Sequence, residues 1–339
     1  MAGIRVSDRT YIEELAGNQP RNLMVVCERL FLDFHYDSSP KEMALQIAKK
    51  LQGNPTILGE MLREEAVDFL FELWQMKESQ IVPEQHLEEL QQLHYLGFVS
   101  ADDQDLMVNM EAKDIFFFSL KSHKMREIMG KYTEWEKIVF GMLFTYGILD
   151  VYECYKIFAE IQDTPVYYAD FEQFLMLRMV FWHSGLMLRN ERTKKLFMAS
   201  REAEDRNAVF EQWNQHKDLD FCRYSKEEYM NLAMGNGIAG WEGISELFLF
   251  VLESIDQDRY QAMIIIKSII LIIQNGETYL EAILKMNKIL NINSEKDEKK
   301  ICCYIKKIFY SIPIYGLKGH TREELNRKEM FQVIDGGKH

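Results

Sequence analysis

Proline is scarce in this chain: 6 in 339 residues, where an average usage of about 5% gives about 17. A proline inside a helix removes a hydrogen-bond donor and collides with the preceding turn. A chain this poor in it meets few interruptions to helix, and the expected fold class is mainly α. Met (19) and Phe (21) are abundant, and both fill the irregular gaps between packed helices. The balance of 47% hydrophobic and 27% charged residues belongs to a globular chain. Its length allows two or three domains.

Local signals divide the chain into four segments. Residues 1–37 read as an N-terminal extension with weak helical pattern and no strong caps. In residues 38–130, Ser39-Pro40-Lys41-Glu42 forms a capping box with proline at the first helical position, where its missing N–H costs nothing. Met43, Leu45, Ile47, Ala48 and Leu51 follow on a mostly apolar face. A second helix spans Leu62 to Met76. A third begins at Pro83 and stops at Gly97, before two β-prone pieces, Phe98-Val99 and Leu106-Met107-Val108, around an acidic turn. Helix, glycine stop and hairpin outline a winged-helix-like unit.

Residues 131–205 show the same order. Asp150 and Glu153 cap one helix, Asp170 opens another, and Gly185 precedes Leu186-Met187-Leu188 and Leu196-Phe197-Met198 around the turn Asn190–Thr193. The corner 93–99 aligns loosely with 181–187. Residues 206–339 read as a helical C-terminal domain, in which Thr321 with Glu324 caps a last short helix. Its most apolar run, Ala262 to Ile273, contains Lys267 and Ser268 and falls short of the ~20 residues of a membrane span.

At Ile314-Tyr315-Gly316-Leu317-Lys318-Gly319-His320-Thr321-Arg322-Glu323-Glu324-Leu325 the chain resembles a group of uncharacterised bacterial helical proteins, in which such a segment precedes a SEC-C zinc motif. Phe144–Asp150 and Tyr224–Tyr229 are similar to the same group, and the resemblance spans about residues 40–330. It implies a helical architecture and no established activity. Arg322 stands where the family often has proline, and no cysteine follows Cys303, so the resemblance implies no zinc ligand here.

Other motifs point away from chemistry. Gly235-Asn236-Gly237-Ile238-Ala239-Gly240 spells the dinucleotide pattern, but that fingerprint needs a strand before it, and Lys226–Met234 reads as helix. Cys302 and Cys303 are adjacent on a helix, about 100° apart, and read as part of a buried face. His216-Lys217-Asp218-Leu219-Asp220 reads as a solvated linker. His183 and His320 read as partners of nearby backbone or carboxylates. No nucleophile elbow, Walker loop, HExxH or CxxC pair occurs. No catalytic, cofactor-binding or metal-ligating residue is assigned, and no cofactor is expected.

Charge decides among the partners. The net charge is −13, and nucleic-acid affinity comes largely from cations displacing counterions. The helix before the first hairpin holds Glu84, Glu88 and Glu89 without Lys or Arg through Leu93. The second unit is less hostile: it offers Arg178 on its helix and Arg189, Arg192, Lys194 and Lys195 on its wing. Three readings follow. The first is a non-enzymatic protein–protein interaction protein. The second is a nucleic-acid-binding regulator using the basic wing. The third is an enzyme or ligand receptor with an inter-domain pocket near His183, His216, Asp218 or Asp220. Five cysteines, an odd number, and an N-terminus without an apolar targeting core fit reduced thiols in a cytoplasmic protein.

Overall fold

In the computed structural model the described residues are 3–77, 86–102, 105–191, 193–255, 258–290 and 294–326. The expected helix start at Pro83, the turn residues Asp103 and Gln104, and Arg192 lie outside them. The described chain is mainly helical with two small three-stranded sheets. It groups into two compact units, 1–136 with 167–184 and 137–166 with 185–339.

The first unit begins with a strand, β1 (Gly3–Ser7), then α1 (Tyr11–Ala16), α2 (Pro20–Arg29), α3 (Pro40–Gly53), α4 (Thr56–Met61), α5 (Glu64–Leu73) and α6 (Leu87–Tyr95). The hairpin β2 (Val99–Asp102) and β3 (Asp105–Asn109) leads into α7 (Met110–Lys121) and α8 (His123–Tyr146). The N-terminal segment is thus better ordered than expected. Thr10 and Glu13 form a full capping box on α1, and β1 pairs in parallel with β3, Gly3 opposite Asp105. Ser39, Glu42 and Pro40 cap α3 as expected, whereas Leu45 faces solvent. Leu23, Ile47, Leu58, Leu70, Phe98 and Phe116 are among the side chains of its buried core.

The second unit carries β4 (Ile148–Asp150) and α9 (Val151–Glu160). Next in the chain, α10 (Tyr168–Phe174) and a π-helical stretch (Leu175–Val180) belong to the first unit. The second hairpin, β5 (Leu186–Arg189) and β6 (Leu196–Ala199), gives a sheet in the order β4-β6-β5, with β4 antiparallel to β6. The two corners that align in sequence differ in conformation. Gly97 is left-handed (φ 71°), but at the second corner the left-handed residue is His183 (φ 57°), not Gly185.

The rest of the second unit is α11 (Arg206–Gln215), α12 (Lys226–Ala233), α13 (Ile244–Ser254), α14 (Arg259–Gln274), α15 (Tyr279–Leu290) and α16 (Glu295–Ser311). Helix α13 packs on α14, α14 on α15, α15 on α16, and α16 returns to α13. Their core is aliphatic: Leu247, Ile266, Ile270, Met286, Ile301 and Ile305 are all buried. The glycine-rich letters fall on a 3-10 turn (Gly237–Gly240) that follows helix α12, with no preceding strand to form a dinucleotide fold. Cys303 is exposed and Cys302 only partly buried, so this pair does not form the buried face expected of it. Among the described residues, no helix is long and apolar enough to cross a membrane.

Candidate functional site

Within the second unit, three segments far apart in sequence meet: the end of α8, the stretch 220–229, and the loop 313–324. A bridge between Pro313 and Thr321 closes the loop, and Lys318 (φ 54°) and Gly319 (φ 80°) turn it in left-handed conformation. A Cβ on Gly319 would stand 2.5 Å from the Tyr146 ring, so this approach requires glycine. Lys318 ties the loop to its neighbour. Its Nζ donates to the carbonyls of His216 (3.1 Å) and Leu219 (2.5 Å), and its own carbonyl accepts from the Cys222 amide (3.0 Å).

Three phenols fix the rest of the backbone. Tyr224 donates to the Gly319 carbonyl at 2.9 Å, and Tyr146 donates to the Cys222 carbonyl at 2.5 Å. With its proton committed there, Tyr146 accepts from the hydroxyl of Tyr229. Burial pushes the Tyr229 phenol up to about 12, so these hydroxyls stay neutral donors at physiological pH.

On this frame Cys222, His320 and Glu324 converge, one donor atom from each lying within 4.8 Å of the others. His320 is nearly buried; its Nε2 lies 3.0 Å from the Asp220 carbonyl and its Nδ1 3.3 Å from Glu324 Oε2. Glu324 also accepts from the Thr321 amide at 2.9 Å, while Thr321 Oγ1 accepts from the Glu324 amide, the capping pair expected from the sequence. Hydrogen bonds to Cys222 and Glu324 hold the imidazole above its usual range, at about 9.

Sequence reasoning found a carboxylate and a backbone partner for His320 but missed Cys222, about one hundred residues earlier. Of the other residues in that reading, His216 and Leu219 contribute carbonyls and Asp220 its carbonyl. His183 belongs to the first unit.

The proposed phosphate contacts are placed differently. Arg178 lies on the π-helical stretch and is fully buried, so it is not a surface cation. Its Nε donates to the Glu60 carbonyl (3.1 Å) and Nη2 to the Gly59 carbonyl (3.2 Å), and Nη1 stands 3.8 Å from Glu136. Burial lowers this guanidinium to about 10. Arg189, Lys194 and Lys195 do face solvent on the second hairpin. Lys194 pairs with Glu191 at 3.0 Å and Lys195 with Asp150 at 3.4 Å. Opposite the first hairpin, Arg5 answers Asp105 at 2.8 Å, and Glu88 of α6 faces Arg63 at 3.6 Å.

Several large apolar side chains of the α13–α16 array stand partly or largely in solvent. Tyr260, Met263 and Ile264 of α14 are exposed, Tyr260 to 73%. They fall on one side of the helix, opposite the buried Ala262, Ile266 and Ile273. Leu280 and Leu284, one turn apart on α15, are 66% and 54% exposed.

Comparison with protein-family models, with curated proteins and with solved structures found no match to this chain.

Proposed function

We propose that the chain is a non-enzymatic interaction protein that docks a partner protein on the exposed face of α14 and α15. The observation that carries this reading is the placement of Tyr260, Met263, Ile264, Leu280 and Leu284 in solvent on neighbouring helices. Single exposed apolar residues are ordinary, but a group of large ones on adjoining elements marks a binding surface. The net charge of −13 favours a partner with net positive charge around an apolar patch, since complementary fields speed encounter and exclude wrong partners.

The finer architecture is part of the same proposal. The order α8, β4, α9, α10, β5, β6 with the sheet β4-β6-β5 is the element order of a winged helix, used here as a scaffold. The acidic α6 and the ion-paired second hairpin support protein over nucleic acid as the ligand.

The test places a photo-crosslinking residue at Ile264 in the full chain, in cells, and makes the captured protein recombinantly. Binding is then measured with the native chain and with Ile264→Asp and Leu284→Asp. The expected result is a basic partner whose affinity falls at least about tenfold in each variant, the size of a single hot-spot contact, with unchanged circular dichroism. Equal affinity for the variants overturns the reading. So does crosslinking only between copies of the chain, which makes the face a self-association surface.

A further inference from the structure

We propose that Cys222, His320 and Glu324 bind a zinc ion. A thiol, an imidazole and a carboxylate are the donor types zinc takes, and softer or harder ions match this mixed set less well. Zinc–ligand bonds of about 2.0–2.3 Å put neighbouring donors of a tetrahedron roughly 3.3–3.8 Å apart. The His320 Nδ1 to Glu324 separation is 3.3 Å, and all three donors fit within 4.8 Å.

The surroundings are those of a ligand histidine. Metal-bound imidazoles characteristically give their other ring N–H to a carbonyl or carboxylate, which fixes the tautomer and aims the free nitrogen at the metal. Here Nε2 faces the Asp220 carbonyl at 3.0 Å. That leaves Nδ1 facing a Glu324 carboxylate oxygen at 3.3 Å, so a metal ion bound between them would take the place of the proton they otherwise share. The backbone on both sides is held before any ion arrives, through Tyr146 on the Cys222 carbonyl and Tyr224 on the Gly319 carbonyl. Such preorganisation leaves little ordering cost for the metal to meet. The donors come from two segments about one hundred residues apart, so bound zinc would clip loop 313–324 to stretch 220–229.

Titration of the metal-free full chain with Zn²⁺ by calorimetry tests this, with Co²⁺ as the spectroscopic probe. The expected result is one zinc per chain, a raised thermal midpoint, and a cobalt complex showing a thiolate-to-metal charge-transfer band. Cys222→Ala and Glu324→Gln should each weaken zinc by at least about tenfold, the lower bound for losing even an outer partner of a metal ligand. Glu324→Gln keeps an oxygen to accept from the Thr321 amide, so it separates metal binding from helix capping. No stoichiometric uptake, uptake unchanged in both variants, or a cobalt complex without the thiolate band overturns the proposal. The outcome does not bear on docking at α14 and α15, whose variants lie elsewhere.

Discussion

Burying a guanidinium removes it from water at a cost that only well-placed acceptors offset. Arg178 shows what that requires: carbonyls of Gly59 and Glu60 for two of its nitrogens, and Glu136 near the third. In the sequence Arg178 reads as a groove-facing cation, because polarity alone does not report burial. The apolar run around it, Leu175, Leu177, Met179 and Val180, was the available signal. Arg178→Ala should destabilise the first unit by about 2–5 kcal/mol, because it takes the donor from the Gly59 and Glu60 carbonyls and empties a packed site, while Glu136 keeps Arg63 and Ser184, as measured by urea unfolding. A loss under about 1 kcal/mol would place this arginine among surface residues. Glu60 poses the opposite problem. Burial raises its carboxyl pKa above the ordinary value, although Gln173 donates to it at 2.5 Å. The folded state therefore holds this proton more tightly than the unfolded chain does. Its stabilising contribution is complete below the unfolded pKa and is lost as pH rises through the raised folded value. Glu60→Gln removes the partly buried charge and should raise the thermal midpoint at neutral pH, with an advantage that shrinks as the solution is acidified. A lower midpoint at neutral pH would show that the charge itself is needed.

At the scale of elements, what was legible is what is local. The Ser39 cap of α3, the Asp150 cap of α9 and the Thr321–Glu324 pair are read from three-residue spacings, and the structure has all of them. The two hairpins follow from turn residues between apolar pairs. Strands β1 and β4 were not legible, because their partners lie far along the chain: Ile4 faces Leu106 and Ile148 faces Ala199. A strand of three to five residues carries too little periodicity to announce itself. The same distance hid Cys222 from His320. Gly147 joins the local and the distant. It ends α8 at φ 70°, and a Cβ there would stand 2.6 Å from the Tyr315 ring. Gly147→Ala therefore combines a left-handed penalty with overpacking, together about 2–4 kcal/mol. Ser39→Ala should cost only about 1 kcal/mol by loss of its cap. Comparing their urea midpoints checks the order, and an equal or smaller loss for Gly147→Ala would show that the loop gives way around Tyr315.

For the whole molecule, the excess of acidic groups sets what it can approach. Counterion release requires cations that reach phosphates, and affinity gained that way falls steeply with salt. Of the five cations considered for this role, Arg178 is buried, Lys194 and Lys195 each sit beside a carboxylate, and Arg192 is outside the described residues. Exposed ion pairs are weak, so Glu191 and Asp150 do not lock these lysines in place. Their effect is on the field: each cancels much of the potential a phosphate would feel within a Debye length, about 8 Å in physiological salt. Against a net charge of −13, two lysines so compensated have little attraction left for a duplex. Fluorescence anisotropy with a labelled DNA duplex and with single-stranded RNA, at low and physiological salt, should therefore detect no binding with a steep salt slope. The combined Arg189→Ala, Lys194→Ala and Lys195→Ala variant should behave like the native chain. Tight low-salt binding that this variant abolishes would show that the wing escapes the acidic field, and nucleic acid would then replace protein as the ligand proposed for this chain.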